Sequence, residues 1–248
     1  MNIKYSTSET AFEGILPVSH PNMRVLEAQL RILGAYHIPL NHLLTEHIVY
    51  EGDLLFNIGK GGFWKPYIKW LYEHHNDVVI QLKKYFPKVY IYQDGEIGWW
   101  NREETRLQAW WYNQLASADG ILVPNSTDVN FYKGMFPNSD IRVIRSVMIE
   151  EGLDKSRFKP KENRVILNGP LTTEYNGFPQ VIVAHNSGMD IDIPPMGKER
   201  MAKDSWEMAA NLGINYLQYM SWHEWMYNLN RYKIGYMLTP AIASASFA

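Results

Sequence analysis

The alternation of short apolar runs with helical stretches constrains this chain more than any other feature of its sequence. The runs "GDLLFNIG" (52–59), "KVYIYQD" (88–94) and "ADGILVPN" (118–125) have the length of buried strands, and stretches with helical periodicity lie between them. Continuous apolar strands that alternate with helices are typical of a parallel sheet covered on both faces. The sequence therefore predicts an α/β fold.

The most clearly marked helix is predicted at residues 102–117. Asn101 is placed at its N-cap and Glu104 at position N3, as in a capping box, where both side chains satisfy backbone amides that lack a partner within the helix. Trp110 flanks the apolar face and is also expected to pack. Three residues at i, i+4 and i+8 form the face expected to be buried: Leu107, Trp111 and Leu115.

Further elements are predicted on both sides of this helix. Apolar residues recur at helical spacing in 22–34, where Gly34 offers a stop. The stretch "KGGFWKPYIKWLYEHH" (60–75) combines a glycine turn with a helix, and a short helix is expected near 127–135. The run "IRVIRSVMI" (141–149) is the next strand.

A polar, highly charged segment at 150–163 interrupts the alternation and contains Pro160. This composition predicts a linker between an N-terminal Rossmann-like domain at 1–149 and a C-terminal Rossmann-like domain at 164–248. The alternation restarts beyond the linker. The stretches that continue it are "RVILNGPL" (164–171), "PQVIVAHNSG" (179–188), a helix near 197–211 ended by Gly213, "INYLQYM" (214–220), a helix with Ser221 and Glu224 as capping box, and "KIGYMLTPA" (233–241).

The second domain is expected to be incomplete. The chain stops soon after "KIGYMLTPA", and an open sheet cut there would leave apolar surface or an unpaired edge. We therefore expect either a truncated form or a partner, such as a second copy of the chain, that covers this C-terminal edge.

Composition and charge narrow the classes of function. The absence of cysteine excludes a thiol nucleophile and a cysteine-bound metal, and a formal net charge of −2 argues against a dedicated nucleic-acid binder. Neither a signal peptide nor a run of the ~20 apolar residues that span a membrane is visible, so we expect a cytoplasmic protein. His37, His42 and His47 are five residues apart, which on a helix turns each about 140° from the last, so no metal site is expected.

Several segments are similar, in order, to those of one enzyme class. "GDLLFNIGKGGF" (52–63) resembles a strand with its glycine-containing loop, and "ASADGILVPNSTDVNFYKGMFPNSDIRVIRSVM" (116–148) resembles the segment that closes a first domain. "RVILNGPL" resembles the first strand and glycine turn of a donor-binding domain, and "YQDGEIGWW" (92–100) is similar to a Gln-Asp-x-Glu stretch of some bacterial rhamnosyltransferase-like proteins. The chain thereby resembles the GT-B class of glycosyltransferases, especially its retaining, nucleotide-sugar-dependent members.

The resemblance implies transfer of a hexosyl or deoxyhexosyl group from a nucleotide-sugar donor to a carbohydrate or related acceptor. The donor would bind in the second domain and the acceptor in the first. No cofactor and no metal ion is implied, because in this class helix dipoles and basic residues stabilise the diphosphate.

The sequence also departs from the class. Glu174 lies near the donor-domain glycine turn, where many retaining members have a basic residue, and the pair of glutamates spaced by seven would begin about where "PAIASASFA" (240–248) ends. A second hypothesis is therefore a non-catalytic, GT-B-derived binding or assembly module that needs a partner at its C-terminal edge. A third, weaker hypothesis is another Rossmann-like enzyme, such as a sugar-nucleotide epimerase.

Asp94 and Glu96 are the candidate catalytic residues. They end the run at 88–94, and carboxylates at the carboxyl end of a parallel strand lie on the ligand-binding edge of a doubly wound sheet. One of them could act as general base towards an acceptor hydroxyl. They could equally be solvated loop residues near the N-terminal end of the next helix. Trp99 and Trp100 could stack on a sugar, although packing at the start of the helix is favoured.

Glycines and basic residues near the predicted strand ends are the candidate ligand-binding positions. Gly61 and Gly62 would let the backbone approach a ligand, but a tight strand-to-helix turn explains them equally well, and Gly169 has the same two interpretations. Lys198 and Arg200 could stabilise a diphosphate, with a solvated helix start as the slightly favoured alternative. The full candidate set is Gly61, Gly62, Asn125, Gly169, Lys198 and Arg200.

Overall fold

The computed structural model describes most of the chain, in two compact units. The residues it describes are 3–7, 13–17, 25–57, 66–93, 103–145, 147, 149–167, 177–194, 207, 209–218 and 220–236. The first unit holds the described residues of Met1–Pro17 and Val25–Met148, and the second unit holds those of Ile149–Ala248.

The first unit is built on a seven-stranded sheet in which only one pair of neighbouring strands is antiparallel. Its strands are β1 (Ile3–Thr7), β2 (Gly14–Ile15), β3 (Tyr36–His37), β4 (Asp53–Asn57), β5 (Val89–Tyr92), β6 (Gly120–Val123) and β7 (Asp140–Val143). Its helices are α1 (Val25–Ile32), α2 (Leu40–Thr45), α3 (Pro66–His74), α4 (Val78–Leu82), α5 (Thr105–Ser117) and α6 (Ser126–Met135). The α/β fold class predicted from the alternation is confirmed.

The winding direction of this sheet changes next to its first strand. The spatial order is β2-β3-β1-β4-β5-β6-β7, so the chain passes from β1 to β3 on one side and then crosses to β4 on the other. In the spatial order from β3 to β7, every pair of neighbouring strands is parallel. In such doubly wound sheets ligands bind outside the carboxyl ends of the strands, at the point where the direction reverses. Here that point lies between β1 and β4.

Two apolar clusters cover the two faces of the sheet. One contains side chains of α2–α6 packed on alternate strand residues such as Phe56 and Ile91, and the other places Leu30 of α1 against Tyr5 and Leu55. The predicted face of α5 is buried: Leu107, Trp110, Trp111 and Leu115 are all 5% exposed or less. The interpretation of this Trp pair as packing residues is confirmed.

The second unit contains a four-stranded parallel sheet. Its strands are β8 (Glu162–Leu167), β9 (Asp190–Ile193), β10 (Asn215–Tyr216) and β11 (Tyr232–Tyr236), in the spatial order β10-β9-β8-β11. Among the described residues, the α-helices of this unit whose two ends are defined are α7 (Gly177–Asn186) and α8 (Trp222–Leu229). A small core of aliphatic side chains packs α7 against β8 and β9.

The polar segment before β8 is tied to the second unit. The Asp154 amide donates to the hydroxyl of Tyr227 (2.9 Å), and the Arg157 guanidinium lies 4.2 Å from the centre of the same ring. Lys161 Nζ donates to the Tyr232 carbonyl at 2.8 Å. Strand β8 begins at Glu162, inside the segment predicted as a linker. Hydrogen bonds to α8 and β11 therefore fix Asp154 and Lys161 to the second unit, although the composition of the segment 150–163 indicates only that it is polar.

The start of α5 differs from its prediction. The helix begins at Thr105, and Glu104 is its N-cap, without a hydrogen bond from its own side chain, so it does not occupy N3. The Gln108 amide donates to the Glu104 carbonyl at 3.0 Å, which makes that carbonyl the first acceptor of the helix. The Gln108 side chain donates to the Glu103 carbonyl, which secures the turn before the helix. Asn101 lies outside the described residues.

The apolar run at 179–188 is helical and forms most of α7. Val181 and Ala184 are buried on one side, whereas Ile182 and Val183 are 43% and 41% exposed. Apolar residues on the exposed side hide the helical period, which is why the run resembles the buried strands in sequence. The strand that follows is the short segment Asp190–Ile193, which the sequence analysis did not identify.

Signals that depend on local chemistry are confirmed. Gly34 and Gly213 have φ values of +59° and +69°, a region that favours glycine, where the sequence predicts helix stops. Ser221 and Glu224 form the predicted capping box at the start of α8, with both reciprocal hydrogen bonds present.

Candidate functional site

Asn125 is the one predicted site residue that lies within the described part of the chain. It follows β6 and is the N-cap of α6: its Oδ1 accepts from the Asp128 amide at 3.0 Å, and its Nδ2 donates to Asp128 Oδ2 at 2.9 Å. These bonds give Asn125 a structural role at the carboxyl edge of the sheet. A role in ligand binding stays a prediction. The other candidates lie outside the described residues: Asp94, Glu96, Gly61, Gly62, Gly169, Lys198 and Arg200.

The carboxyl edge of the first sheet carries buried polar side chains. Asn57 ends β4 and is 5% exposed, Gln93 directly follows β5 and is 1% exposed, and Asp128 in the first turn of α6 is 8% exposed. Buried polar side chains need hydrogen-bond partners to offset their desolvation. Their position at successive strand ends makes this edge the best candidate for a functional site.

Gln93 is held by a tryptophan of α5. Its Oε1 accepts from Trp111 Nε1 at 3.0 Å, and its backbone amide donates to the Leu122 carbonyl at 2.9 Å. An indole N–H can only donate, so the amide oxygen must face Trp111 and the Nε2 group is left as a donor. Among the described residues, that Nε2 group has no hydrogen-bond partner.

Asp128 and Tyr132 form a second buried pair on α6. Burial raises the pKa of Asp128, and the hydrogen bond from Asn125 only partly opposes this. Burial also raises the pKa of the Tyr132 hydroxyl, with a further contribution from the charge of Asp128. The Tyr132 ring meets that of Trp111 edge-on, with centroids 6.2 Å apart. Gln93, Trp111, Asp128 and Tyr132 therefore form one cluster, here called the β5–β6 cluster.

The opposite face of the sheet has its own buried polar residues beneath α1. Gln29 is 4% exposed and donates through Nε2 to the carbonyls of Ile144 (3.3 Å) and Arg145 (2.7 Å). Burial, and then the charge of Glu27, raises the pKa of Tyr5 in β1. The Gln29 hydrogen bonds tie the middle of α1 to the segment after β7.

The main polar network of the second unit centres on Asp192, whose side chain is fully buried. Arg164 binds both carboxylate oxygens, Tyr232 donates to Oδ2 at 2.6 Å and Asn215 donates to Oδ1 at 3.0 Å. Burial opposes ionisation, but these hydrogen bonds outweigh it and hold the pKa of Asp192 below its usual value. The residue is therefore an ionised carboxylate at neutral pH.

Asp192 and its partners come from all four strands of this sheet. Asp192 is the third of the four residues of β9, Asn215 and Tyr232 begin their strands, and Arg164 lies in the first half of β8. The network therefore joins the four strands through one carboxylate. At the carboxyl end of β10 lies Tyr216, where burial raises the pKa to about 12.

Sequence reasoning missed the residues of these clusters for identifiable reasons. Gln93 lies one position before Asp94, where the carboxylates drew attention, and Tyr132 is one of 16 tyrosines. Asp192 has a clearer signal, since a charged residue between two isoleucines in "DIDI" must be solvated or paired. Only the three-dimensional arrangement shows that its partners come from three other strands.

Within the ranges that the structure describes, no group of three or more His, Asp or Glu side chains is arranged to hold a metal ion. None of the helices in those ranges combines the length and apolarity needed to cross a bilayer. No protein-family model and no curated protein matches the chain. The parallel sheets therefore define the class of fold, and function has to be argued from the residues.

Proposed function

We propose that this chain is a GT-B-like, metal-independent glycosyltransferase that moves a sugar from a nucleotide-sugar donor to a carbohydrate acceptor. The observation that carries the proposal is the strand order of the second sheet, β10-β9-β8-β11, with every neighbour parallel. This is the order in which nucleotide-binding halves are wound, with the reversal next to the first strand, here between β8 and β11.

The second unit is proposed to bind the donor. Gly169 follows the last residue of β8 by two positions, where a glycine lets the backbone approach a phosphate. Lys198 and Arg200 are the proposed partners of the diphosphate, whose developing charge needs cationic or amide donors. Tyr216 supplies an aromatic ring at the same edge of the sheet.

The first unit is proposed to bind the acceptor. Asp94 is the next residue after Gln93, at the carboxyl end of β5, and Glu96 follows two positions later. One of these carboxylates would accept the proton of the attacking hydroxyl, a role that depends on hydrogen-bond distance to the acceptor. Gly61 and Gly62 follow the neighbouring strand β4 in the sequence by four and five positions, and glycines there would let the backbone approach a ligand.

Calorimetric titration of the full chain with UDP, GDP, dTDP and ADP tests the donor site. We expect one of these nucleotides to bind, and we expect Lys198→Ala/Arg200→Ala to weaken its affinity about tenfold or more, because each charged hydrogen bond contributes roughly 1.5–3 kcal/mol. Lys155→Ala is the control, since this exposed lysine pairs with Glu150 at 2.8 Å. Lack of binding by all four nucleotides would refute the donor site.

A further inference from the structure

The β5–β6 cluster contains two buried hydrogen-bonding groups that the described part of the chain leaves unsatisfied. The Nε2 group of Gln93 and the hydroxyl of Tyr132 have no partner there, although the two residues are 1% and 0% exposed. A buried polar group without a partner costs roughly 1–3 kcal/mol, so native proteins rarely keep two in one place unless something else binds them.

Gln114 of α5 gives a comparison for Gln93. Gln114 is also 1% exposed, but its Oε1 accepts from the Val79 amide and its Nε2 donates to the Asn76 and Trp110 carbonyls. Within the described ranges, Gln93 uses only its oxygen, and Gln29 beside the other face uses only its Nε2 group. The β5–β6 cluster differs from Gln29 in that it places a second unsatisfied group, the Tyr132 hydroxyl, beside the same tryptophan.

The unsatisfied groups share one face of the sheet and one contact residue. Gln93 lies two positions after Ile91, whose side chain belongs to the cluster on the α2–α6 face. Trp111 donates to Gln93 at 3.0 Å and meets the Tyr132 ring edge-on at 6.2 Å. The two donors therefore border the same tryptophan, at the carboxyl ends of β5 and β6.

The hydrogen-bonding groups and the charge of the cluster determine which class of ligand it can bind. The amide N–H groups of Gln93 require an acceptor, which excludes a cation at that group, and the hydroxyl of Tyr132 can either donate or accept. The buried carboxyl group of Asp128, which acts electrostatically on Tyr132, disfavours a phosphate or carboxylate. A neutral hydroxyl group satisfies both demands, since it accepts from Gln93 and can donate to Asp128. The rings of Trp111 and Tyr132 supply the apolar surface that a sugar ring packs against.

We infer that the carboxyl ends of β5 and β6 form a binding subsite for a carbohydrate, in which Gln93 and Tyr132 bind ligand hydroxyl groups. If the proposed function holds, this carbohydrate is the acceptor; only this identification of the ligand rests on the proposed function. The subsite itself is inferred from residues of the first unit, whereas the donor is proposed to bind the second unit.

Saturation-transfer NMR on the full chain tests the subsite, with the methyl glycosides of glucose, galactose, mannose and rhamnose and with N-acetylglucosamine as probes. We expect transfer to at least one probe, and a loss of affinity of about tenfold in Tyr132→Phe and in Gln93→Leu. Tyr132→Phe removes a hydroxyl without an internal partner, so the free protein should keep its stability. Tyr112→Phe is the matched control, because this tyrosine of α5 is 43% exposed.

Two results would overturn the inference. One is the absence of saturation transfer to every probe in the wild-type protein. The other is unchanged sugar affinity in both Tyr132→Phe and Gln93→Leu. Nucleotide titration of the wild-type protein separates the two proposals: sugar binding without nucleotide binding refutes only the donor site, and nucleotide binding without sugar binding refutes only the subsite.

Discussion

At the scale of single residues, the polar side chains divide into those that complete the fold and those that remain available. Asp192 belongs to the first kind, because its four hydrogen bonds come from Arg164, Asn215 and Tyr232. Gln93 belongs to the second, because it binds Trp111 and still has a free donor within the described residues. This division separates structural polar groups from functional candidates more sharply than residue type does.

Replacing Asp192 should destabilise the second unit strongly. Asp192→Ala leaves the Arg164 charge, whose side chain is 19% exposed, without its buried partner, and removal of one member of a buried pair costs about 3 kcal/mol or more. Asp190→Ala is the matched control: it breaks the 3.2 Å contact of Asp190 with the same arginine, but Asp190 is 73% exposed, so the expected loss is below about 1 kcal/mol. Urea denaturation measures both, and equal losses would contradict the account.

The same carboxylate predicts how stability depends on pH. The pKa of Asp192 is lower in the folded protein than the ~3.9 of an unfolded aspartate, so the folded state binds fewer protons in that range. The contribution of Asp192 is fully present above the unfolded pKa and is lost as pH falls towards the folded pKa. The stability difference between wild type and Asp192→Asn should therefore shrink below about pH 4, as followed by thermal unfolding. A difference that is constant between pH 7 and pH 3 would show that ionisation of Asp192 is irrelevant.

At the scale of elements, signals that act within a few residues are predicted well from sequence. The capping box at Ser221, the glycine stops at Gly34 and Gly213 and the buried face of α5 all depend on local spacing. The predicted start of α5 is wrong by three residues, because helix ends are less strictly determined by local sequence than helix interiors, and the helix begins at Thr105 instead of residue 102. The helical period of the run that forms α7 is hidden in the sequence, because Ile182 and Val183 are apolar yet exposed.

Asn125 allows capping and ligand binding to be separated. Asn125→Ala should destabilise the protein by about 1 kcal/mol, because the Asp128 amide loses its acceptor. Asn125→Ser should restore most of that stability, since serine is an equally good N-cap. If Asn125 also binds a ligand, Asn125→Ser will still bind the probe sugars or nucleotides more weakly than wild type. Equal stability of the alanine and serine variants in thermal unfolding would refute the capping role.

Two glycines make a matched pair for the packing of β6 and α6. A Cβ at Gly120 would lie 2.8 Å from the Asp140 carbonyl and 2.9 Å from the Tyr90 ring, so Gly120→Ala should cost roughly 1–3 kcal/mol. A Cβ at Gly134, in the last turn of α6, would meet nothing within 4 Å, so Gly134→Ala should stabilise by up to about 1 kcal/mol. Denaturant midpoints of the two variants should move in opposite directions. A shift in the same direction would contradict the strand packing described.

At the scale of the whole molecule, the chain forms two sheets wound in different orders, one of them parallel throughout and the other parallel except at β2. The sequence predicts the alternation that produces them, because apolar runs and helical periods are local properties. Strand order and register depend on contacts between distant residues, so the reversals between β1 and β4 and between β8 and β11 became visible only in the structure. The β5–β6 cluster has the same origin, since its members come from positions 93, 111, 128 and 132.

Hydrogen exchange measured by mass spectrometry, with and without UDP, GDP, dTDP or ADP, tests the central claim that the second unit binds a nucleotide-sugar. We predict that one nucleotide slows exchange in the peptide that follows β8, at 168–176, in the segment 195–206 that holds Lys198 and Arg200, and in the peptide that follows β11, at 237–248, and leaves the peptides of the first sheet unchanged. Protection confined to the first unit, or no protection by any of the four nucleotides, would contradict it.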